Sequence, residues 1–339
     1  MGLKKYCFFV FLLWGCATGF SQAQDTSLRK APAPLFRDPI TDGAADPVVF
    51  YNPVEKEWWM LYTQRRANID LPDVAYCYGN AIGIAASSDN GKSWIYRGAL
   101  DLEFEHGHNT FWAPDIVFHK GKWHLFVAYI KGVRNHWSGV ARMAHYTSKD
   151  LWNWKFSDFS DLGFESVIDG SLIKLQNGDW RMYFKGPNAH TYMADSRDLK
   201  NWKASPEVVI GGKEHEGANV FEFAGYFWML TDEWRGMRVY KSSDMKNWEK
   251  QGMILDDIGV RPDDHPTGAH GDALVTGNNA YVFYFTHPGR KTHFAATMDA
   301  NGMYPYQERR SSIEVAQLLY QDGTLKCVRN EDFDFHLSE

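Results

Sequence analysis

The sequence predicts an all-β chain folded as a five-bladed β-propeller, and three observations predict it. A hairpin-like unit recurs five times, beginning at Asp46, Asp115, Asp169, Ala218 and Asp272, with starts 69, 54, 49 and 54 residues apart. A second device follows the first four hairpins, a Ser/Asp turn that closes on Trp94, Trp154, Trp202 and Trp248, with a worn copy at 297–304. No stretch carries the pattern of a long amphipathic helix. A period near fifty residues with about four short strands per copy is the signature of a propeller blade.

The first unit, 43–64, reads GAADPVVFYNPVEKEWWMLYTQ. Asp46 heads an apolar run at 47–51, a turn follows at Asn52-Pro53, and a second aromatic run fills 58–63, so a β-hairpin with a charge at its mouth is expected. The later copies repeat this as DIVFHKGKWHLFVAY, DGSLIKLQNGDWRMYFKG, ANVFEFAGYFWMLT and DALVTGNNAYVFYFT. Trp58, Trp123, Trp180 and Trp228 fall in the second strands and are expected in the core, since blades pack face to face through large residues. Residues 311–320 and 325–328 read as strands around an Asp322-Gly323 turn. A propeller must close its ring, and a C-terminal strand joining the first blade would do so without an exposed edge. The segment before Asp46, with Arg37 and Asp38, is expected to take part.

Residues 1–23 read as a signal peptide: Lys4-Lys5, an apolar core at 6–14, then small residues to Ala23. The core is too short for a membrane span. Leu13-Trp14-Gly15-Cys16 is an imperfect lipobox, so a lipid anchor at Cys16 stays open beside simple cleavage. Export to the periplasm or beyond, or to the outer membrane as a lipoprotein, is expected. Residues 24–339 carry no linker or low-complexity segment and read as one propeller domain, expected to be monomeric. The formal charge of −6 becomes more negative once Lys4 and Lys5 leave, which argues against nucleic acid as a partner. Of the four cysteines only Cys77 and Cys327 remain after the leader, and both are expected as free, buried thiols. CxxC and HExxH spacings are absent, which excludes the common zinc sites.

The strand heads of a propeller converge on one mouth of its channel. Asp46, Asp115, Asp169 and Asp272, with Glu216 just ahead of the fourth hairpin, are therefore predicted to gather there. One Asp at a strand start is an ordinary turn residue; four in register plus a Glu ask for more. Clustered carboxylates in a desolvated funnel push each other's pKa values apart. Glycoside hydrolysis needs that: one carboxyl protonated for the leaving oxygen, one ionised to activate water, roughly 6.5–9.5 Å apart in an inverting pair. Phe111, Trp112, Trp137 and Trp234 adjoin the mouth or leave a hairpin, where aromatic faces can stack on sugar rings. Arg65, Arg66, His106, His108, Asn109, Arg134, His136 and Arg235 supply basic and polar groups nearby, and could grip a uronate or sulfate. Solvated surface charge explains any one of them equally well.

On these residues the chain resembles glycoside hydrolase family 43 and related five-bladed propeller glycosidases, through all five blades. Ala45-Asp46-Pro47 matches the family's first-blade Asp motif, Trp112-Ala113-Pro114-Asp115 its WAPD signature, Ile168-Asp169-Gly170-Ser171 its third-blade Asp, and Glu216-Gly217-Ala218 its fourth-blade Glu. The resemblance implies Asp46 as general base, Asp169 as the group that raises and orients the acid, and Glu216 as general acid. Gly170 departs from the commoner Pro. Glu214 competes for the acid and Asp38 for the base; the following Gly-Ala favours Glu216, and heading the repeat favours Asp46. Trp112, Asp115 and Asn219 are further candidates for substrate contact. The resemblance also implies a hydrated cation, usually calcium, beside a fifth-blade His, here His270; a hydrogen-bonded core His is the plain alternative. No organic cofactor is implied.

The implied function is an exported, inverting, exo-acting hydrolase removing arabinofuranosyl, xylosyl or galactosyl-type units from an oligo- or polysaccharide of plant or algal origin. A five-bladed phosphorylase or anhydrogalactosidase, and a non-catalytic glycan-binding propeller, stay open.

Overall fold

The computed structural model of the chain describes residues 1–2, 28–292, 294 and 297–338. Apart from Met1 and Gly2, the leader, Cys16 included, lies outside the described residues. The hairpins predicted from their apolar alternation are the first two strands of each blade. Blade one comprises β1 (Ala44–Asn52), β2 (Glu57–Gln64), β3 (Ala81–Ser87) and β4 (Ile95–Ala99). Blade two follows with β5 (Thr110–His119), β6 (Lys122–Ile130), β7 (Ala141–Ser148) and β8 (Lys155–Phe159). Blade three takes β9 (Ile168–Lys174), β10 (Trp180–Lys185), β11 (Thr191–Ser196) and β12 (Trp202–Ala204). Blade four has β13 (Glu216–Phe223), β14 (Tyr226–Asp232), β15 (Met237–Ser242) and β16 (Glu249–Ile254). Blade five ends the ring with β17 (Ala269–Thr276), β18 (Asn279–Thr286), β19 (Ser312–Gln321) and β20 (Thr324–Val328). Each is an antiparallel four-stranded meander in chain order. Among the described residues no helix is long and apolar enough to cross a membrane.

Each junction between blades has its own apolar core. Trp59 and Leu61 meet Trp123 and Leu125 between blades one and two, and Phe126 and Met143 meet Leu172 and Phe184 between two and three. Tyr183 packs with Val220 and Met229, and Trp228 and Leu230 pack with Val282 and Tyr284. Trp58, Trp123, Trp180 and Trp228 are all buried, as their strand positions predict. Second strands bury almost every side chain while β4 alternates, the pattern of a sheet covered in the middle and wet at its rim.

The repeated Ser/Asp element is a turn between third and fourth strands. In blade two the Asp150 carboxylate accepts the backbone N–H groups of Trp152 (3.0 Å) and Asn153 (2.7 Å), and Ser148 Oγ donates to it at 3.0 Å. Trp154 Nε1 then closes the turn on the Leu151 carbonyl at 2.8 Å. The Asp–Asn arrangement recurs at Asp198 and Asp244. The Trp residues that end these turns are half-buried rather than buried. The 297–304 stretch is not a fifth copy: it lies between β18 and β19, whereas the β19–β20 turn is Asp322-Gly323.

Ring closure differs from the expectation. The C-terminal strands complete blade five, and blade one is built wholly from its own residues, so no terminal strand joins the first blade. The seam is packed instead. Leu35 and Phe36 from before β1, and Phe333, Phe335 and Leu337 from after β20, share one core with Met60, Tyr62, Phe283 and Val315. Phe36 and Ile313 exchange backbone hydrogen bonds across it (3.1 and 2.9 Å), and Asp38 is buried there under Gln64 (2.7 Å) and Tyr62. Cys77 and Cys327 are unpaired, as expected; Cys77 is buried, whereas Cys327 is only half-buried.

The innermost strands have no neighbour on their channel side, which leaves backbone N–H groups to satisfy. Side chains from the preceding blade do this. Asp115 Oδ2 accepts Leu172 N–H (2.6 Å) and Ser171 Oγ accepts Val220 N–H (3.2 Å). Asn219 Oδ1 accepts Ala273 N–H (3.0 Å), and Asp272 Oδ2 accepts Val49 N–H (3.3 Å). Asn219 also donates to Asp272 Oδ1 at 2.7 Å. Val48 stands at the fifth such position and cannot accept; Ile116 N–H is taken by Asp115 Oδ1 (2.7 Å) instead. Asn219→Ala would strand a backbone donor and a carboxylate at once. It is expected to cost about 2 kcal/mol or more, read as a lower denaturant midpoint at unchanged m; an unchanged midpoint would mean these links hold nothing.

Candidate active site

Every innermost strand carries a β-bulge near the channel mouth. In blade one Ala45 pairs with Thr63 and Val48 with Leu61, so Asp46 and Pro47 together face one partner position. The same extra residue appears at Ala113-Pro114, Asp169-Gly170, Gly217-Ala218 and His270-Gly271. The bulge twists the strand and re-aims its side chains. Asp46 (φ 49°) and Asp169 (φ 57°) hold left-handed backbone there. Such a conformation costs a non-glycine residue roughly 1–3 kcal/mol and clusters at functional sites. At the equivalent place Gly217 has φ 61°, and a Cβ on it would stand 2.5 Å from the His270 ring, so glycine lets that imidazole lie against the strand.

The bulges sort the carboxylates into two tiers. Asp46, Asp169 and His270 occupy one register position, with Glu216 one residue earlier, and all four line a pocket of about 660 Å³. Asp115 and Asp272 stand two positions further along their strands, level with Ser171 and Asn219. They line a small cavity further along the channel and do not reach the large pocket. The expectation of four Asp in one register is corrected accordingly. Asp115 and Asn219, candidates for substrate contact, serve the links between blades. Burial pushes Asp272 up to about 7, and burial together with the Asp272 charge brings Asp115 to about 7 as well.

In the pocket Asp46 and Glu216 each have a cation beside them. Burial alone would raise Asp46, but Arg65 (Nη2–Oδ2 3.5 Å) and His270 (Nδ1–Oδ1 3.5 Å) hold it at about 2. Lys185 Nζ lies 2.8 Å from Glu216 Oε2 and holds that carboxyl below its ordinary value against the effect of burial. Asp169 goes the other way. Burial and the Glu216 charge push it up to about 6, although Gly217 N–H donates to its Oδ2 at 3.1 Å. The resting site therefore keeps Asp46 and Glu216 ionised and lets Asp169 hold a proton more readily. His270 loses basicity to burial but gains more from Asp169 and Asp46, reaching about 9.

Sequence reasoning missed three groups. Lys185 ends β10 opposite Ile168. Asp232 ends β14 opposite Glu216; it accepts His270 N–H at 2.7 Å and Trp234 N–H at 2.6 Å, and burial beside Glu216 raises it to about 7. Arg290 comes from the β18–β19 link. None stands in a motif; the usable signal was cross-strand pairing with Ile168 and Glu216, which needs the register first.

Of the other candidates, Trp112, Trp137, Trp234 and Arg65 line the pocket. Arg66 does not: its guanidinium holds the Tyr78 (2.7 Å) and Ala75 (2.9 Å) carbonyls of the loop after β2. His108 contacts the Gly79 carbonyl (3.0 Å), and Arg235 lies by Glu233 (3.7 Å); neither lines the pocket. Phe111 is core, and Glu214 is exposed and away from the lining. Among the described residues no group of three or more His, Cys, Asp or Glu side chains is arranged to hold a metal ion. His270 Nδ1 lies 3.5 Å from Asp46 Oδ1 in the wall of the pocket.

No protein-family profile matches the sequence, and no curated protein does. Solved structures do match in three dimensions. A thermostable family-43 glycoside hydrolase superposes with a TM-score of 0.65 at 18% identity, over 89% of this chain and 100% of that one. A family-43 β-xylosidase/α-arabinofuranosidase from a compost microbial metagenome, solved with xylotriose in a calcium-free form, gives 0.65 at 15% identity over 89% and 98%. A family-43 enzyme from Xanthomonas citri, solved with xylotriose, gives 0.61 at 14% over 88% and 93%. At these identities the likeness establishes the fold, a five-bladed propeller of the family-43 type.

The carboxylates around His270 make a measurable prediction. Its imidazole should titrate near about 9 by NMR, above the ordinary ~6.5, and Asp46→Asn should lower that value. Titration near the ordinary value in the unaltered protein would mean that the carboxylates do not close around His270.

Proposed function

We propose that the protein is a glycoside hydrolase acting with inversion, with Asp46 as general base, Glu216 as general acid and Asp169 as the group that tunes it. One observation carries the reading: three carboxylates from blades one, three and four, two of them on left-handed bulges, face a single aromatic-walled pocket. The likeness to family-43 structures supports it. So does the placing of Asp46 and Glu216 on non-adjacent blades, since an inverting pair must leave room for water between sugar and base.

Asp46 is ionised across the working range and can take a proton from water without first losing one. The acid side is a coupled group. Asp169 is the carboxyl pushed towards its protonated form, while Lys185 keeps Glu216 charged. A sugar filling the pocket removes water and makes the adjacent charges of Glu216, Asp169 and Asp232 harder to sustain together. That favours a proton on Glu216, where it can pass to the leaving oxygen. Trp112, Trp137 and Trp234 supply faces for sugar rings. Arabinofuranosyl, xylosyl or galactosyl-type units are the substrates proposed by resemblance. Calcium held through its own waters, and export by the leader-like residues 1–23, belong to the same reading.

The direct test is hydrolysis of natural oligosaccharides and aryl glycosides by the unaltered protein, Asp46→Asn and Glu216→Gln. Turnover of one member should fall about a hundredfold or more in either variant, on the scale of losing a general acid or base, and NMR of the first product should show the inverted anomer. Undiminished activity of Glu216→Gln on natural substrates would remove Glu216 from the acid role.

A pH profile tests the coupled group separately. Deprotonation of the Asp169–Glu216 pair ends activity on the alkaline side, with an apparent pKa belonging to the pair. Removing the Lys185 charge raises the Glu216 carboxyl, so Lys185→Met should move that limb to higher pH. A limb that stays in place would show that Lys185 does not govern the acid.

A further inference from the structure

The pocket contains one cation that its carboxylates do not use. Arg65 lies against Asp46, Lys185 against Glu216, and His270 against Asp46. Arg290 enters from 287–311, the longest of the five links between second and third strands. Its Nε donates to the Glu308 carbonyl (2.9 Å) and its Nη2 to the Tyr76 hydroxyl (3.2 Å), both neutral acceptors. Among the described residues it forms no ion pair with a carboxylate, although it is half-buried and lines the pocket. Arg65 stands on the same side, already matched by Asp46. Its guanidinium stacks over the Phe285 ring at 4.6 Å, and its buried Nε has no acceptor. His287, from the same wall, adds no charge of its own: burial together with Arg290 and Arg65 keeps it neutral.

A half-desolvated guanidinium without a counter-charge is costly unless something anionic arrives. Its planar fork suits a carboxylate or sulfate, and a substrate can supply either. We propose that Arg290, backed by Arg65 and Tyr76, forms a subsite for an oxyanion carried on the sugar, so that the pocket selects acidic glycans over neutral ones. Free phosphate would offer the same oxyanion chemistry, and the titrations below separate it from an anion carried on the sugar. This deepens the glycosidase reading and takes from it only the premise that a glycan fills the pocket. Binding can be measured without turnover.

The experiment is calorimetric titration of the Asp169→Asn protein, which keeps Arg65 on Asp46 and Lys185 on Glu216, and of the same protein carrying Arg290→Gln or Arg290→Lys, each first checked for an unchanged melting temperature. Paired ligands separate the sources: oligogalacturonides against their carboxyl-reduced forms, sulfated galacto-oligosaccharides against their desulfated forms, and inorganic phosphate alone. One charged series should bind about tenfold or more tightly than its neutral partner, the scale of a charge-assisted hydrogen bond. That advantage should vanish in Arg290→Gln and survive in part in Arg290→Lys, which keeps the charge but loses the fork. The series that shows it identifies carboxylate or sulfate. Equal binding of charged and neutral partners, binding of no charged member, or phosphate binding coupled to phosphate-dependent turnover would each overturn the proposal. Charge-selective binding with no hydrolysis by the unaltered protein would instead leave the subsite standing and remove the hydrolase reading.

Discussion

Five strand edges face each other across a narrow channel with no further strand to pair with, and this constraint organises the molecule. Backbone donors in such a place must be satisfied or solvated. Here polar side chains from the preceding blade cap them, through Asp115, Ser171, Asn219 and Asp272. The same strands bulge near the mouth, and the bulge carries the candidate catalytic groups. Structural and chemical side chains thus alternate along one strand, only two residues apart. The strain at Asp46 and Asp169 is tolerated because the tier just beyond them is tied together.

The second organising feature is charge balance in a small volume. Buried carboxylates repel one another and resist ionisation, and each departure from neutrality in the pocket has an identifiable partner. Arg65 and His270 fix Asp46 in its charged state; Lys185 does the same for Glu216; Asp169 takes the remaining burden and is pushed towards its protonated form. Division of labour among chemically identical groups follows from which cation stands next to which carboxylate.

Much of this was legible in the sequence. The repeat period, the hairpins and the buried Trp of the first four second strands followed from alternation and turn residues, and Asp46, Asp169 and Glu216 do share one pocket. What failed was register. Asp115 heads its hairpin motif as Asp46 does, yet the residue equivalent to Asp46 in blade two is Ala113, and in blade five it is His270. A bulge shifts the count without changing composition, so motif alignment slid by two positions in those blades. Lys185 and Asp232 were invisible for a related reason: they sit at the ends of second strands, where only cross-strand pairing brings them to the site. Arg66 and His108 looked like pocket residues from their place in sequence, and are instead spent on loop carbonyls.

The packed seam bears on how the chain folds. Each blade is contiguous in sequence, so its pairing is local and quick to search, whereas the seam joins residues as distant as Arg29 and Asp334. Loop-closure entropy grows only slowly with length, but such a contact cannot form before the intervening blades have brought the ends together. Closure is thus the last event in assembly and its reversal the first in opening. With no strand shared between the first and last blades, the joint rests on side-chain packing by Phe36, Phe333 and Phe335, a few backbone bonds, and ion pairs such as Arg29–Asp334 and Arg310–Asp42. The pocket wall between blades one and five, with Arg65 and His270, inherits its lifetime from that joint.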